Sequence, residues 1–228
     1  MSSIAMPTPE IILLDKKFQT EEVKYFKKTG NRFLEHGAYT NAPKNTIAYK
    51  EFWQEERDKC INGDTYNGTR ITGEHYFYLN YCPIMMFYEG EQYKREGLPY
   101  FYDYDFYYFE KIEEAVKKRK GIVLLKGRRK GFSFKSASLL THRFTFVKNS
   151  SNFIGSYFEE YAQQTFDFSV NMLDFLLRHT AFGKKRIINK ENHKKAGYKL
   201  ANGAIAGTGN EMKFLTFNKN PSKALGKS

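Results

Sequence analysis

Residues 121–136 read GIVLLKGRRKGFSFKS, and the reading of this stretch decides the fold. Gly121-Ile122-Val123-Leu124-Leu125 is a short apolar run that predicts a buried strand. Phe134, Ala137, Leu140, Phe144 and Val147 follow with helical period. Between the two lies a cationic loop containing Gly127 and Gly131. Strand, glycine-containing loop and a helix opening on a hydroxyl residue form the layout of a phosphate-binding loop. Such a loop works because backbone N–H groups and the positive end of the helix converge on an anion.

The spacing departs from the pattern G-x-x-x-x-G-K-[ST] at defined places. Gly131 and Ser133 fall where the second glycine and the metal-binding hydroxyl belong, but Lys126 stands at the first glycine and Phe132 at the lysine. The lysine normally puts positive charge on the terminal phosphates, so its loss requires compensation. Lys126, Arg128, Arg129 and Lys130 lie close by, and a guanidinium reaches a phosphate in bidentate fashion. A solvated basic turn is the competing reading of the same residues.

Arg128-Arg129-Lys130-Gly131-Phe132-Ser133 resembles the deviant nucleotide loop, R-R/Q-x-G-[KFY]-S, of tailed-phage terminase large subunits. Upstream, Thr72-Gly73-Glu74-His75-Tyr76-Phe77-Tyr78-Leu79-Asn80-Tyr81 is similar to the G-x-H-Y-F-x-L-N stretch that often precedes the ATPase core of that family. The blocks stand in the family's order, and the resemblance covers roughly residues 70–228. It implies an α/β P-loop NTPase core of the RecA-like kind, a mostly parallel sheet flanked by helices, behind a helical N-terminal region. It implies a nucleotide site at Lys126, Gly127, Arg128, Arg129, Lys130, Gly131, Phe132 and Ser133. Arg128 or Arg129 would be the displaced catalytic cation, with Ser133 as the Mg²⁺ ligand through bound ATP. The implied partners are double-stranded DNA, the portal and the small terminase subunit, with a homo-oligomeric ring in the intact motor and the cytoplasm of the infected bacterial host as its place. Residues just before the loop help hold adenine in that family, which makes Pro99 to Tyr104 a candidate wall.

The family's next element, an apolar strand ending in Asp-Glu, has no counterpart here, and neither does its nuclease domain. The nearest imitation, Phe153-Ile154-Gly155-Ser156-Tyr157-Phe158-Glu159-Glu160, comes too soon after the loop. Its glutamates open a helical pattern, where first-turn acids suit the helix dipole. The expected organisation is therefore residues 1–95 as a mainly helical region and 96–228 as a P-loop core incomplete at its C-terminal side.

Composition agrees with this without requiring it. The net charge is +12 over 228 residues, and 17 Tyr and 21 Phe give 17% aromatic content. A strongly basic chain suits a polyanionic partner, DNA first among them, and tyrosines that keep their hydroxyls near water predict exposed rings. The same features support a basic nucleic-acid-binding module with no nucleotide site, and the loop alone also fits a helicase fragment. Cys60 and Cys82 show neither metal-ligand spacing nor a disulfide framework. The five histidines (His36, His75, His142, His179, His193) show no metal-binding spacing, and His75 reads as a hydrogen-bonded structural residue. No secretory leader and no membrane-spanning run is visible.

Elsewhere, Met6-Pro7-Thr8-Pro9 reads as a loop, and a helix begins near Glu10 or Thr20 and runs to Gly30. A second runs from Thr46, as cap, to about Ile61, with Gly63 beyond its end. A third spans about Tyr104 to Lys120, with acids at its start and lysines at its end. Ser151 to Ser156 predicts a strand and the following helix ends near Arg178. Residues 183–195 read as a polar basic stretch, either a mobile loop or a phosphate contact. Gly197–Ala201 and Glu211–Phe217 read as strands, with Asn202-Gly203 a hairpin turn. Lys219, Lys223 and Lys227 are further cations near the end of the resemblance.

Overall fold

The computed structural model describes residues 18–87, 90, 92–127 and 130–217. The loop expected at residues 6–9, the arginines at 128 and 129 and the lysines at 219, 223 and 227 lie outside the described residues.

The N-terminal helix is in fact two, α1 (Thr20–Phe26) and α2 (Lys28–His36), broken at Lys27, whose φ/ψ of −101°/3° leave the helical well. The Glu22 carboxylate holds the start of α1 by accepting from the Gln19 backbone N–H at 2.9 Å. Helix α3 (Ile47–Asn62) follows the sequence reading: Thr46 Oγ1 accepts from the Tyr49 N–H at 3.2 Å, and Gly63 stands at its end. Gly63 has φ +87°, and a Cβ there would fall 2.1 Å from the Ile71 carbonyl oxygen. Only glycine fits that approach. The turn-rich residues after it form a hairpin, β1 (Asp64–Tyr66) with β2 (Thr69–Ile71), turned by Asn67 and Gly68, both at positive φ.

The family-like block is α4 (Gly73–Tyr81), capped by Thr72 and buried on nearly every side. A helix that is apolar all round belongs at the centre. There it meets Phe26, Tyr39, Trp53, Phe109, Phe146, Phe175 and Phe182 in one aromatic cluster that draws residues from both sides of position 95. Most described tyrosines are exposed or half-buried, as expected, but Tyr39, Tyr76, Tyr78 and Tyr81 lie inside this cluster. Three of these hydroxyls find partners within the protein: Tyr39 donates to the Asn80 carbonyl at 2.6 Å, and Tyr76 and Tyr81 donate to Glu56.

Strands β3 (Ile84–Met86) and β4 (Arg95–Gly97) pair antiparallel ahead of α5 (Asp103–Lys117). Helix α6 (Phe132–Phe146), β5 (Ser151–Ser156) and α7 (Glu159–His179) match the expected elements closely, with Glu159 and Glu160 in the first turn of α7. The basic stretch is not a loop. Arg186–Lys190 (β6) and His193–Ala196 (β7) form a hairpin, in which His193 meets Glu211 and Lys194 donates to the Lys190 carbonyl. β8 (Tyr198–Lys199) and β9 (Ile205–Ala206) make a smaller hairpin. Its turn holds three residues rather than two, with Gly203 at φ +81° and the Gly203 N–H donating to the Leu200 carbonyl at 2.9 Å.

The final strand, β10 (Glu211–Thr216), completes a four-stranded sheet of order β5-β10-β7-β6. β5 and β10 are parallel and the other pairs antiparallel. The architecture is mixed α/β, and the largest sheet among the described residues is mixed rather than mostly parallel. Leu140, Phe144, Phe166 and Leu173 from α6 and α7 pack with Met212 and Phe214 of the sheet.

Gly121–Leu125 departs most from expectation. Residues 121–127 form no strand, and Val123 and Leu125 are 92% and 95% exposed. An apolar run becomes a buried strand only when neighbouring strands and a second layer cover it, and no described strand pairs with this one. Among the described residues no helix is long and apolar enough to cross a membrane.

Candidate functional site

The loop enters α6 through Gly131, whose φ/ψ of 68°/16° is left-handed, the conformation glycine adopts without a Cβ penalty. The Lys135 N–H donates to the Gly131 carbonyl at 3.2 Å, so the helix winds directly from the loop. Lys126, Gly127, Lys130, Gly131 and Ser133 are all exposed, with Ser133 in the first turn of α6. Arg128 and Arg129 lie outside the described residues.

Phe132, at the position of the usual lysine, is a platform for cations. Lys126 Nζ lies 5.5 Å from its ring centroid and Lys135 Nζ 4.3 Å. Lys130 and Lys135 lie 5.6 and 4.6 Å from the Tyr104 ring. Three ammonium groups thus gather at two rings, an arrangement favoured by the negative face of an aromatic quadrupole.

A cavity of about 350 Å³ opens beside this cluster. Pro99, Tyr100, Tyr102 and Tyr104 form one wall, while Lys130, Gly131, Phe134 and Lys135 form another. Tyr102 and Tyr104 stack at 5.1 Å with planes 12° apart. The aromatic segment expected to flank a base thus shares one cavity with Lys130 and Gly131 of the expected phosphate loop, across some thirty residues of sequence, while Lys126, Gly127, Phe132 and Ser133 are not among its lining residues. Two of its residues had been read differently or not at all. Asp105 looked like a dipole acid of α5, and Lys135 was one polar residue of a helix. In the structure their side chains form an ion pair with 1% exposure each. Lys135 also donates to the Lys130 carbonyl at 2.8 Å. A helical side chain points toward its own N-terminus, so a lysine in the opening turns reaches back into the loop. That signal was available in the sequence; the depth of the pair was not.

Burial dominates the electrostatics. It pushes the Asp105 carboxyl up to about 6, with Lys135 pulling the other way. It lowers the Lys135 ammonium, which Asp105 opposes. Burial also raises Tyr104 to about 12, with the Asp105 charge adding to it. His75, on α4, is held down to about 3 by burial, and the charge on Lys135 acts in the same direction. It is stacked on Phe109 at 5.0 Å, and neither ring nitrogen has a hydrogen-bond partner among the described residues. The expectation of a hydrogen-bonded His75 therefore fails: aromatic packing, rather than a polar partner, keeps the ring neutral.

The described residues contain no group of three or more acidic, histidine or cysteine side chains fit to hold a metal. Ser133, the expected Mg²⁺ ligand, is exposed in the first turn of α6 and is not among the residues lining the cavity. A larger cleft of about 560 Å³ lies between α2 and α3. Its charges largely cancel: Lys24 pairs with Glu21, and Lys59 with Glu55 and Glu56. The chemistry concentrates at the smaller cavity.

No protein-family model matches the chain, and no curated protein matches it significantly.

Proposed function

We propose that the chain binds a nucleoside triphosphate, with residues 126–133 around the phosphates and the Pro99–Tyr104 wall against the base. The protein class is a P-loop ATPase core. The particular reading, by resemblance, is the ATPase portion of a terminase large subunit, part of a motor that moves double-stranded DNA into a prohead. The observation that carries it is the shared cavity. A glycine loop opening a helix and a stacked tyrosine wall come from separate segments and face the same space. Aromatic rings that accept a base, next to clustered cations, suit a nucleotide better than either half alone.

In this reading Arg128 or Arg129 supplies charge to the phosphates, and Ser133 meets the Mg²⁺ that accompanies ATP. Portal, small subunit, a ring of copies and a host cytoplasm follow from the resemblance alone. Phosphoryl transfer relies on positioned charge, and no apolar run after the loop ends in a carboxylate pair. The chain by itself is therefore expected to bind ATP and hydrolyse it negligibly. Substantial turnover by the pure protein, abolished by Arg129→Ala, would overturn that expectation.

The test is calorimetric titration of ATPγS with Mg²⁺ into wild type and Arg128→Ala/Arg129→Ala. Saturable one-to-one binding, lost in the double variant, is the expected result. A second reading, a basic module that binds nucleic acid directly, draws on Tyr157, Phe158 and Tyr161. These rings are exposed and meet edge to face at 4.8 and 5.9 Å where β5 passes into α7. It predicts salt-dependent DNA binding with no response to Mg-ATPγS.

A further inference from the structure

We infer that Lys135 is the cation that meets the terminal phosphates in place of the residue at position 132, and that Asp105 is its positioning partner. The inference rests on the nucleotide reading of the cavity and adds a residue that the loop pattern does not contain.

The geometry supports it at several points. Lys135 starts from α6 but ends at the loop, with its ammonium against the Lys130 carbonyl at 2.8 Å. Phe132, which fills the usual lysine position, lies 4.3 Å from that ammonium and walls it in, with Tyr104 on another side at 4.6 Å. Lys135 and Asp105 both border the cavity, with 1% of each side chain exposed, so the ammonium lies just beneath its wall.

The chemistry of the pair points the same way. An ammonium has three protons to donate. Asp105 and the Lys130 carbonyl take two, which leaves one for an acceptor entering the cavity. A buried ion pair is a poor source of stability, because desolvation offsets most of its attraction. Among the described residues, Asp105 has no hydrogen-bonding partner beyond Lys135. A pair built only to hold two helices together would be expected to have its remaining oxygens filled. Here the carboxylate holds the lysine at the mouth of the loop.

The test compares AMP, ADP and ATPγS, each with Mg²⁺, binding to wild type, Asp105→Asn, Lys135→Gln and the uncharged pair Asp105→Asn/Lys135→Met. Wild type should favour ATPγS over AMP by about tenfold or more, the scale of a charge-assisted contact. In the uncharged pair that preference should shrink to about twofold while AMP binds nearly as before. Asp105→Asn, which keeps the lysine and an acceptor beside it, should keep the preference. Retention of the full preference by the uncharged pair would overturn the inference and leave the nucleotide reading intact. Absence of any nucleotide binding by wild type would overturn both. If melting curves show that the uncharged pair does not fold, Asp105→Asn and Lys135→Gln decide. A purely structural pair demands the same loss in each, whereas the inference demands that only Lys135→Gln lose the preference.

Discussion

Glu56 and Asp105 are both buried carboxylates with a lysine at hand, and they sit in opposite surroundings. Glu56 is closed. Tyr76 and Tyr81 donate to its Oε2 at 2.7 and 2.6 Å, while Lys59 and Thr29 donate to its Oε1 at 3.0 and 3.3 Å. Its partners come from α2, α3 and α4, so one carboxylate ties three helices. Among the described residues Asp105 has Lys135 alone, and it borders the cavity with 1% of its side chain exposed. A carboxylate whose lone pairs are all filled has nothing left to offer a ligand and acts as a structural hub. One left half-satisfied at the edge of a cavity keeps its chemistry available, at a cost in stability that suits a site better than a core.

The sharpest way to break this comparison is Glu56→Leu. It strands two buried tyrosine hydroxyls without their common acceptor, while Lys59 keeps Glu55, and should destabilise the fold by about 3–5 kcal/mol in urea unfolding. A loss below about 1 kcal/mol would mean that the hub carries no structural weight. Next in size, Tyr81→Phe removes one donor to the charged oxygen and should cost about 1.5–3 kcal/mol. Tyr104→Phe, whose ring rather than hydroxyl is engaged at the cavity, should leave unfolding unchanged. Equal losses in the two would erase the distinction between hub and site.

The smallest effect concerns acid. His75 has a folded value near 3, below its unfolded value, so its neutral form stabilises the fold above about pH 6.5. That contribution is lost as pH falls, at a rate that approaches about 1.4 kcal/mol per pH unit well below 6.5. His75→Phe keeps the stack on Phe109 and removes the titration. Its stability relative to wild type should therefore rise by about 1 kcal/mol between pH 6.5 and 5.5. Asp105 acts in the opposite sense, because its folded value near 6 lies above the usual carboxylate range. Acidification through that window favours the fold, and Asp105→Asn should steepen the acid loss. Parallel pH curves for His75→Phe and wild type would show that the ring is not buried as a neutral group.

Helices α3, α5, α6 and α7 were legible because their signals are local: Thr46 and Gly63 at the ends of α3, acids and lysines at opposite ends of α5, and apolar residues at helical spacing in α6 and α7. Three other features were not. Lys27 breaks the first helix through its tertiary setting, and the basic stretch 186–196 becomes a hairpin because β10 offers it an edge. Gly121–Leu125 has the composition of a strand but no partner among the described residues, and periodicity alone cannot supply one. At the site, Gly131, Phe132 and Ser133 could be placed at the opening of a helix from spacing. Lys135 and Asp105 could not be paired, because thirty residues separate them and only packing brings their charges together.

The sequence by itself determined what short-range physics controls: the turn residues, the helix caps, the basic balance, the glycine that opens α6 and the aromatic segment ahead of α5. The tertiary structure alone decided which buried polar groups are fully satisfied and which keep a single partner among the described residues. Burial sets the free energy of a charge through everything that surrounds it, and those surroundings come from every part of the chain at once. For that reason Glu56 became a hub, Asp105 and Lys135 a pair at a cavity, and His75 a neutral ring within an aromatic stack.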